Sequence, residues 1–197
     1  MRRAARIITS IVFKLLFRVD VINPEKVPQE GPALLCANHN TLLDMFFLGF
    51  RLKRWIHWMA KEELFRNPVA AYVLKKLGAF SVKRGTGDVS SIKSAYKLLE
   101  ENKLVGIFPH GTRIDPSNIE TVRVKPGAVM IAVNAGVPII PATVCGSYKL
   151  FSRMKVIFGD PFYIENKDKD KKLSKQEMSE LSKDIIRRVY SLSEAYR

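Results

Sequence analysis

The sequence predicts a single α/β domain on a mostly parallel central sheet flanked by helices, preceded by an amphipathic helix. Three observations carry that expectation. Short apolar runs bounded by turn residues, such as Ala33–Ala37 and Leu104–Phe108, read as strands buried on both faces. Helical segments separate these runs, so strand and helix alternate. A length of 197 residues, with 47% hydrophobic and 26% charged side chains, suits one globular domain and excludes a disordered chain. The expected division is an N-terminal helix over 1–20 and one domain over 21–197.

The elements follow in order. Residues 1–17, wound at about 100° per residue, divide into two sides. Ala4, Ala5, Ile7, Ile8, Ile11, Val12, Leu15 and Leu16 cover one side. Arg2, Arg3, Arg6 and Lys14 lie opposite, joined there by Phe13 and Phe17. Pro24, Pro28, Gly31 and Pro32 mark the exit from this helix. Ala33–Ala37 is then a strand, Leu42–Leu52 a mostly apolar helix and Trp55–Ala60 a strand. Pro68 opens a helix to Leu77, as proline can in a first turn. Ala79–Val82 is a strand leading into the turn Lys83–Gly87, and Asp88 suits the N-cap of a helix through Glu101. Leu104–Phe108 is a strand ended by Pro109. Pro126–Asn134 is helical and stops at Gly136. Val137–Val144 and Lys155–Phe158 are strands, the mixed-sign run Glu165–Lys172 is a solvated loop, and Ser174 begins a last helix to Tyr190 or beyond.

Charge narrows the partners. Lys and Arg number 33 against 19 Asp and Glu, a formal net charge of +14. Such an excess fits an anionic partner: nucleic acid, an anionic membrane surface or a phosphorylated substrate. No nucleic-acid-binding motif occurs and aromatics are not interleaved with the basic runs, so no nucleic acid partner is expected. Cys36 and Cys145 alone hold no disulfide framework, and a reducing setting fits. The 3 histidines and 2 cysteines are scattered without ligand spacing, so no metal is expected. The first helix falls short of the roughly 20 apolar residues of a membrane span and Lys14 interrupts it. It lacks the pattern of a secretory signal. Two readings remain: it lies in the headgroup region of an anionic bilayer, or it packs on the domain with a solvated basic face. Arg51, Lys53 and Arg54 precede Trp55 and Trp58, tryptophans that suit either a membrane boundary or the core.

Three segments rich in reactive side chains begin where a predicted strand ends, which is where α/β folds bind ligands. In Asn38–Asp44, residues five apart stand about 140° apart on a regular helix and cannot share its face. If His39 precedes the helix, its ring can fold back to Asp44, which would hold one ring nitrogen as donor and leave the other as a base. The alternative is a helix cap by Asn38 or Asn40 with His39 incidental. Lys83 and Arg84 end a second strand, and Phe108–Arg113 a third, with His110, Gly111, Thr112 and Arg113 in its turn. Two guanidinium groups in one cleft would suit a phosphate dianion, and each alone is also an ordinary surface arginine. Val137–Ala142, with Pro138 and Pro141, reads as core or as the wall of an acyl groove.

In order, these blocks resemble the glycerolipid acyltransferase family, most closely the short bacterial 1-acylglycerol-3-phosphate acyltransferases. Asn38, His39 and Asp44 match its Asn-His-x4-Asp motif; Gly78, Phe80 and Arg84 match its second. Phe108, Pro109, Gly111, Thr112 and Arg113 match Phe-Pro-Glu-Gly-Thr-Arg, and Val137, Pro138, Ile139 and Pro141 match the fourth. The resemblance runs from about Gly31 to Val144. One departure is that His110 stands where the family has glutamate; an imidazole cannot act as a carboxylate, though a protonated one could help bind phosphate. The resemblance implies transfer of a fatty acyl chain from an acyl carrier protein or coenzyme A thioester to the sn-2 hydroxyl of lysophosphatidic acid, giving phosphatidic acid. It implies His39 as base, Asp44 as its orienting partner and Arg84 and Arg113 as phosphate ligands. Lys83, His110, Gly111, Thr112 and Pro138 would shape the substrate site. No cofactor is implied beyond the thioester substrate. The expected place is the cytoplasmic face of the cell membrane, peripheral or monotopic. The alternatives are another lyso-lipid acceptor or a catalytically silent lipid-binding relative.

Overall fold

The computed structural model describes residues 1–83, 89–111, 124–165 and 173–196. Among them the chain runs α1 (Arg2–Leu16), β1 (Arg18–Ile22), β2 (Ala33–Ala37), α2 (Asp44–Gly49), β3 (Ile56–Lys61), α3 (Pro68–Lys76) and β4 (Phe80–Val82). It continues through α4 (Val89–Glu100), β5 (Leu104–Ile107), α5 (Gly127–Ala135), β6 (Ile139–Gly146), β7 (Arg153–Phe158) and α6 (Lys175–Ala195). The strands form one sheet in the order β1-β7-β6-β2-β5-β3-β4. Strands β2 to β6 are mutually parallel, whereas β7 runs antiparallel to β6 and carries β1 parallel to itself. The fold class is therefore the expected one.

Local chemistry explains the boundaries. Asn67 caps α3 by accepting from the amides of Val69 and Ala70 at 2.9 and 3.1 Å, with Pro68 in the first turn. Ser174 and Glu177 form a reciprocal capping box on α6. Gly136 closes α5 at φ +61°, a conformation a side chain disfavours. Asp88 and the run 166–172 lie outside the described residues.

Two apolar layers sandwich the sheet. One holds Phe13, Phe17, Phe47, Leu35 and Trp58 under α1 and α2, and the other packs α4, α5 and α6 on Leu34, Val105 and Ile139. Val137–Ala142, open in sequence between core and groove wall, is mostly core: Val137, Ile139, Ile140 and Ala142 are buried. Trp58 is also core, while Trp55 donates its indole N–H to the Leu77 carbonyl at 2.6 Å. Arg54 is structural, donating to the carbonyls of Pro28, Glu30, Gly31 and Asn102.

Three features differ from expectation. Residues 18–22 form β1, whose alternation Val19, Val21 against Arg18, Asp20 suits a sheet edge, so a boundary at residue 20 falls inside a strand. Helix α2 is shorter than 42–52 at both ends: before it the Asp44 carboxylate draws Asn40 and Thr41 into a turn, and after it Phe50 is extended and Arg51 sits at φ +62°. Helix α1 has the reverse polarity to a helix packed by its aliphatic side. Phe13 and Phe17 are buried, and Arg2 and Arg6 stack on Trp55 at 5.8 and 5.7 Å. Ile8 and Leu15, by contrast, are 61% and 66% exposed. No helix among the described residues is long and apolar enough to cross a membrane.

Candidate active site

The site forms where β2, β5 and β6 end. Asn38, buried just past β2, exchanges two 2.8 Å hydrogen bonds with the backbone of Val144, its amide donating to the carbonyl and its oxygen accepting from the N–H. That exchange pins the two strand ends and aims the next residue, His39, outward. His39 precedes α2, so its ring folds back on the helix as the spacing required. Its Nδ1 donates to Asp44 Oδ2 at 3.0 Å, leaving Nε2 as the acceptor nitrogen of the neutral ring.

Asp44 is fully buried and held by more than the histidine. Oδ2 also accepts from the amides of Asn40 and Thr41 at 2.6 and 2.7 Å. Oδ1 accepts from the Tyr148 hydroxyl at 2.6 Å and the Thr41 hydroxyl at 3.4 Å. Burial would raise the affinity of this carboxyl for a proton. The hydrogen bonds from His39, Tyr148, Thr41 and Asn40 outweigh it, so Asp44 titrates below its ordinary value and stays ionised. Tyr148 in turn is pushed upward by burial and by its bond to Asp44, so it remains a neutral donor.

Aromatic packing fixes the plane of the His39 ring. The His39 ring stacks on Phe108 at 4.1 Å and 15°, and Phe108 stacks on Trp58 at 4.8 Å and 8°. Gly106 makes room for this column: a Cβ there would lie 2.5 Å from Trp58. On the same side of the sheet, an apolar cavity of about 130 Å³ opens between α1, α2, β3 and α3, lined in part by Phe46, Trp58, Leu64 and Leu74.

The other candidates are distributed unevenly. Lys83 is exposed beyond β4, and Gly111 sits at φ +68° in the turn after β5, its N–H donating to the Phe108 carbonyl at 2.8 Å. A side chain on Gly111 would meet Lys125 at 3.6 Å, so that cation stands beside the turn. Arg84, Thr112 and Arg113 lie outside the described residues. Pro138 is not brought to His39: it precedes β6, six residues before Val144 and so roughly 20 Å along the strand from it. His110 also departs from expectation. It is buried against Tyr190, its Nε2 has no hydrogen-bond partner among the described residues, and burial pushes its pKa down to about 4, so it is neutral at pH 7 and supplies no cation for phosphate.

Tyr148 is a side chain of the candidate site that motif reading misses. Its signal is position alone, two residues beyond the end of β6, at the same edge as the motifs.

Comparison with known proteins supplies independent findings. Residues 18–145 match the family model described as Acyltransferase. The chain is 38% identical over 159 residues to the 1-acyl-sn-glycerol-3-phosphate acyltransferase of Bacillus subtilis, covering 78% of each chain. It is 32% identical over 152 residues to the Streptococcus pneumoniae protein of that name, covering 73% of this chain and 55% of the other. The crystal structure of the 1-acyl-sn-glycerophosphate acyltransferase PlsC from Thermotoga maritima superposes with a TM-score of 0.71 at 22% identity, over 98% of this chain and 79% of that one.

Proposed function

Because the chain belongs to the acyltransferase family, we propose that it carries a fatty acyl group from a thioester to the sn-2 hydroxyl of 1-acyl-sn-glycerol 3-phosphate, forming phosphatidic acid. The observation that carries this reading is the His39–Asp44 pair, with Nδ1 committed to a buried carboxylate and Nε2 left as base. His39 Nε2 takes the proton as the hydroxyl oxygen attacks the thioester carbonyl. The tetrahedral adduct expels the thiolate, which recovers that proton from the imidazolium, so ester and free thiol are the products. Asp44 stabilises the imidazolium in between. The attacked carbonyl is already activated, so no enzyme nucleophile is required.

Arg84 and Arg113 are the proposed phosphate ligands on the strength of their motif positions. Lys125, beside the Gly111 turn, adds to the positive field there, and Lys83 is proposed to shape the site from the end of β4. The apolar cavity beside Trp58 is of a kind that admits part of an acyl chain. The donor is acyl carrier protein or coenzyme A, both anionic partners for a +14 chain. The exposed aliphatic side of α1 is the proposed contact with the cytoplasmic leaflet of the membrane, with Lys14 beside it for anionic headgroups.

The test is acyl transfer on anionic vesicles by the natural chain and by His39→Ala. Product from the natural chain, with a rate about a hundredfold lower in the variant, is the expected result. Equal rates would overturn the role of His39. If His110→Glu created turnover where the natural chain had none, the silent relative would be the right description.

A further inference from the structure

The hairpin joining β6 to β7 carries an unabsorbed feature. Leu150 and Phe151, at its tip, are 62% and 67% exposed. Phe151 sits at φ +63°, in the left-handed region that a bulky side chain avoids. The turn holds it there by several bonds. Phe151 N–H donates to the Leu16 carbonyl at 2.7 Å, Ser152 N–H donates to the Lys149 carbonyl at 3.2 Å, and the Ser152 hydroxyl donates to the carbonyls of Ser147 and Lys149. The two large apolar side chains are thus presented to solvent by a built turn.

Its surroundings identify the occupant. The bond to Leu16 places the tip against the end of α1, where Leu15 is 66% exposed, so two exposed apolar elements stand side by side. Lys14, Arg18, Lys149 and Arg153 are exposed around it, with Arg18 and Arg153 opposite one another in the β1–β7 pairing. No acidic residue occurs in the chain between Glu120 and Asp160. Apolar side chains ringed by cations match the boundary between acyl chains and anionic headgroups. The tip is also at the mouth of the site, since Tyr148, two residues before Leu150, bonds Asp44.

We infer that Leu150 and Phe151 form a second membrane-inserting element, which seats the mouth of the active site in an anionic lipid surface. The inference rests on the membrane reading of α1 and is separable from it.

The experiment places an environment-sensitive fluorophore on Phe151→Cys, and separately on Ile11→Cys, in a Cys145→Ser background; Cys36 is buried. Vesicles of phosphatidylcholine with phosphatidylglycerol are then added, with and without a doxyl-lipid quencher. The expected result is a blue shift and quenching at both positions. A shift at Ile11 without one at Phe151 overturns the inference while leaving α1 on the membrane. No shift at either overturns both, and a shift at Phe151 alone upholds the tip and removes α1. Leu150→Ser with Phe151→Ser, exposed positions that keep the fold, should weaken vesicle binding about a hundredfold, the scale of losing the burial of two large apolar side chains. Unaltered vesicle affinity in that folded double variant would also overturn the inference.

Discussion

Tyr148→Phe separates the charge of Asp44 from the scaffold that holds it. The substitution deletes one hydroxyl and keeps the ring, whose edge contact with Phe47 at 6.0 Å survives. Asp44 Oδ1 loses its 2.6 Å donor and retains only the Thr41 hydroxyl at 3.4 Å, while Oδ2 keeps all three of its donors. Asn40 loses the phenol oxygen as acceptor but still reaches the Val144 carbonyl at 3.3 Å, so no buried donor is orphaned. The loss is then that of one hydrogen bond to a charged group, about 1.5–3 kcal/mol of stability. For a chain of this size that is a fall in Tm of roughly 3–12 °C. If half of that free energy appears in the barrier, kcat falls about fourfold to twelvefold. A carboxylate stripped of a donor holds the imidazolium more tightly, so the acid limb of the kcat/KM profile moves to higher pH. The assay is thermal unfolding beside a pH series of acyl transfer to lysophosphatidic acid on vesicles. A lower Tm with kcat and the acid limb both unchanged would refute a positioning role and leave Tyr148 a packing residue.

Other outcomes follow from the same contacts. Asp44→Asn should lower kcat by about a hundredfold or more through loss of the charge beside His39. Its fold should be largely kept, because the Tyr148 hydroxyl can reverse to accept from the new amide; circular dichroism and Tm check this. Gly106→Ala drives a methyl to 2.5 Å from Trp58, so it should cost about 1–3 kcal/mol and lower kcat by displacing Phe108 under His39; unchanged Tm and kcat would refute the stacking argument. Phe13→Ala removes a ring 4.3 Å from Phe47 and should cost about 3–5 kcal/mol, whereas Ile11→Ala should cost under about 0.5 kcal/mol, as urea midpoints would show. His57 and His110 are buried and titrate at about 4, against 6.5 when unfolded. The unfolded chain therefore binds more protons across that window, so stability is full above pH 6.5 and is lost as pH falls toward 4. The loss is about 2 kcal/mol per histidine by pH 5, measurable by urea unfolding; a flat profile from pH 7 to 5 would exclude it.

Much of the sheet was legible because its strands are short and continuous in apolar character. Leu34, Leu35 and Cys36, or Leu104 and Val105, have no polar neighbour to place on an outer face, so burial on both sides follows from the letters. Strand β1 escaped notice because two of its five residues, Arg18 and Asp20, are charged, as an edge allows. The His39–Asp44 contact was legible only as a condition, that His39 stand before the helix. The condition is met because the Asp44 carboxylate gathers the Asn40 and Thr41 amides, which precede α2 and have no intrahelical acceptor, into a turn that leaves His39 before the helix. The Tyr148 bond to Asp44 and the burial of His110 against Tyr190 were not legible, since both depend on contacts over 75 residues away in the chain.

The polarity of α1 shows where pattern stops being enough. An amphipathic pattern states that two sides differ but not which one the protein keeps. Here two aromatic rings on the charged side decide it. Phe13 and Phe17 meet Phe47 at 4.3 and 5.2 Å, and the long stems of Arg2 and Arg6 lie along Trp55 with their charge over its ring. Burying that side satisfies the arginines as well as the rings, which burying the aliphatic side would not do. What remains outside is Ile7, Ile8, Ile11, Val12 and Leu15, more apolar surface than a helix turned to water usually presents. The aliphatic side, which the sequence left open between lipid and domain, is therefore an external apolar face, and the exposed tip at Leu150 and Phe151 stands beside its end, near the candidate site.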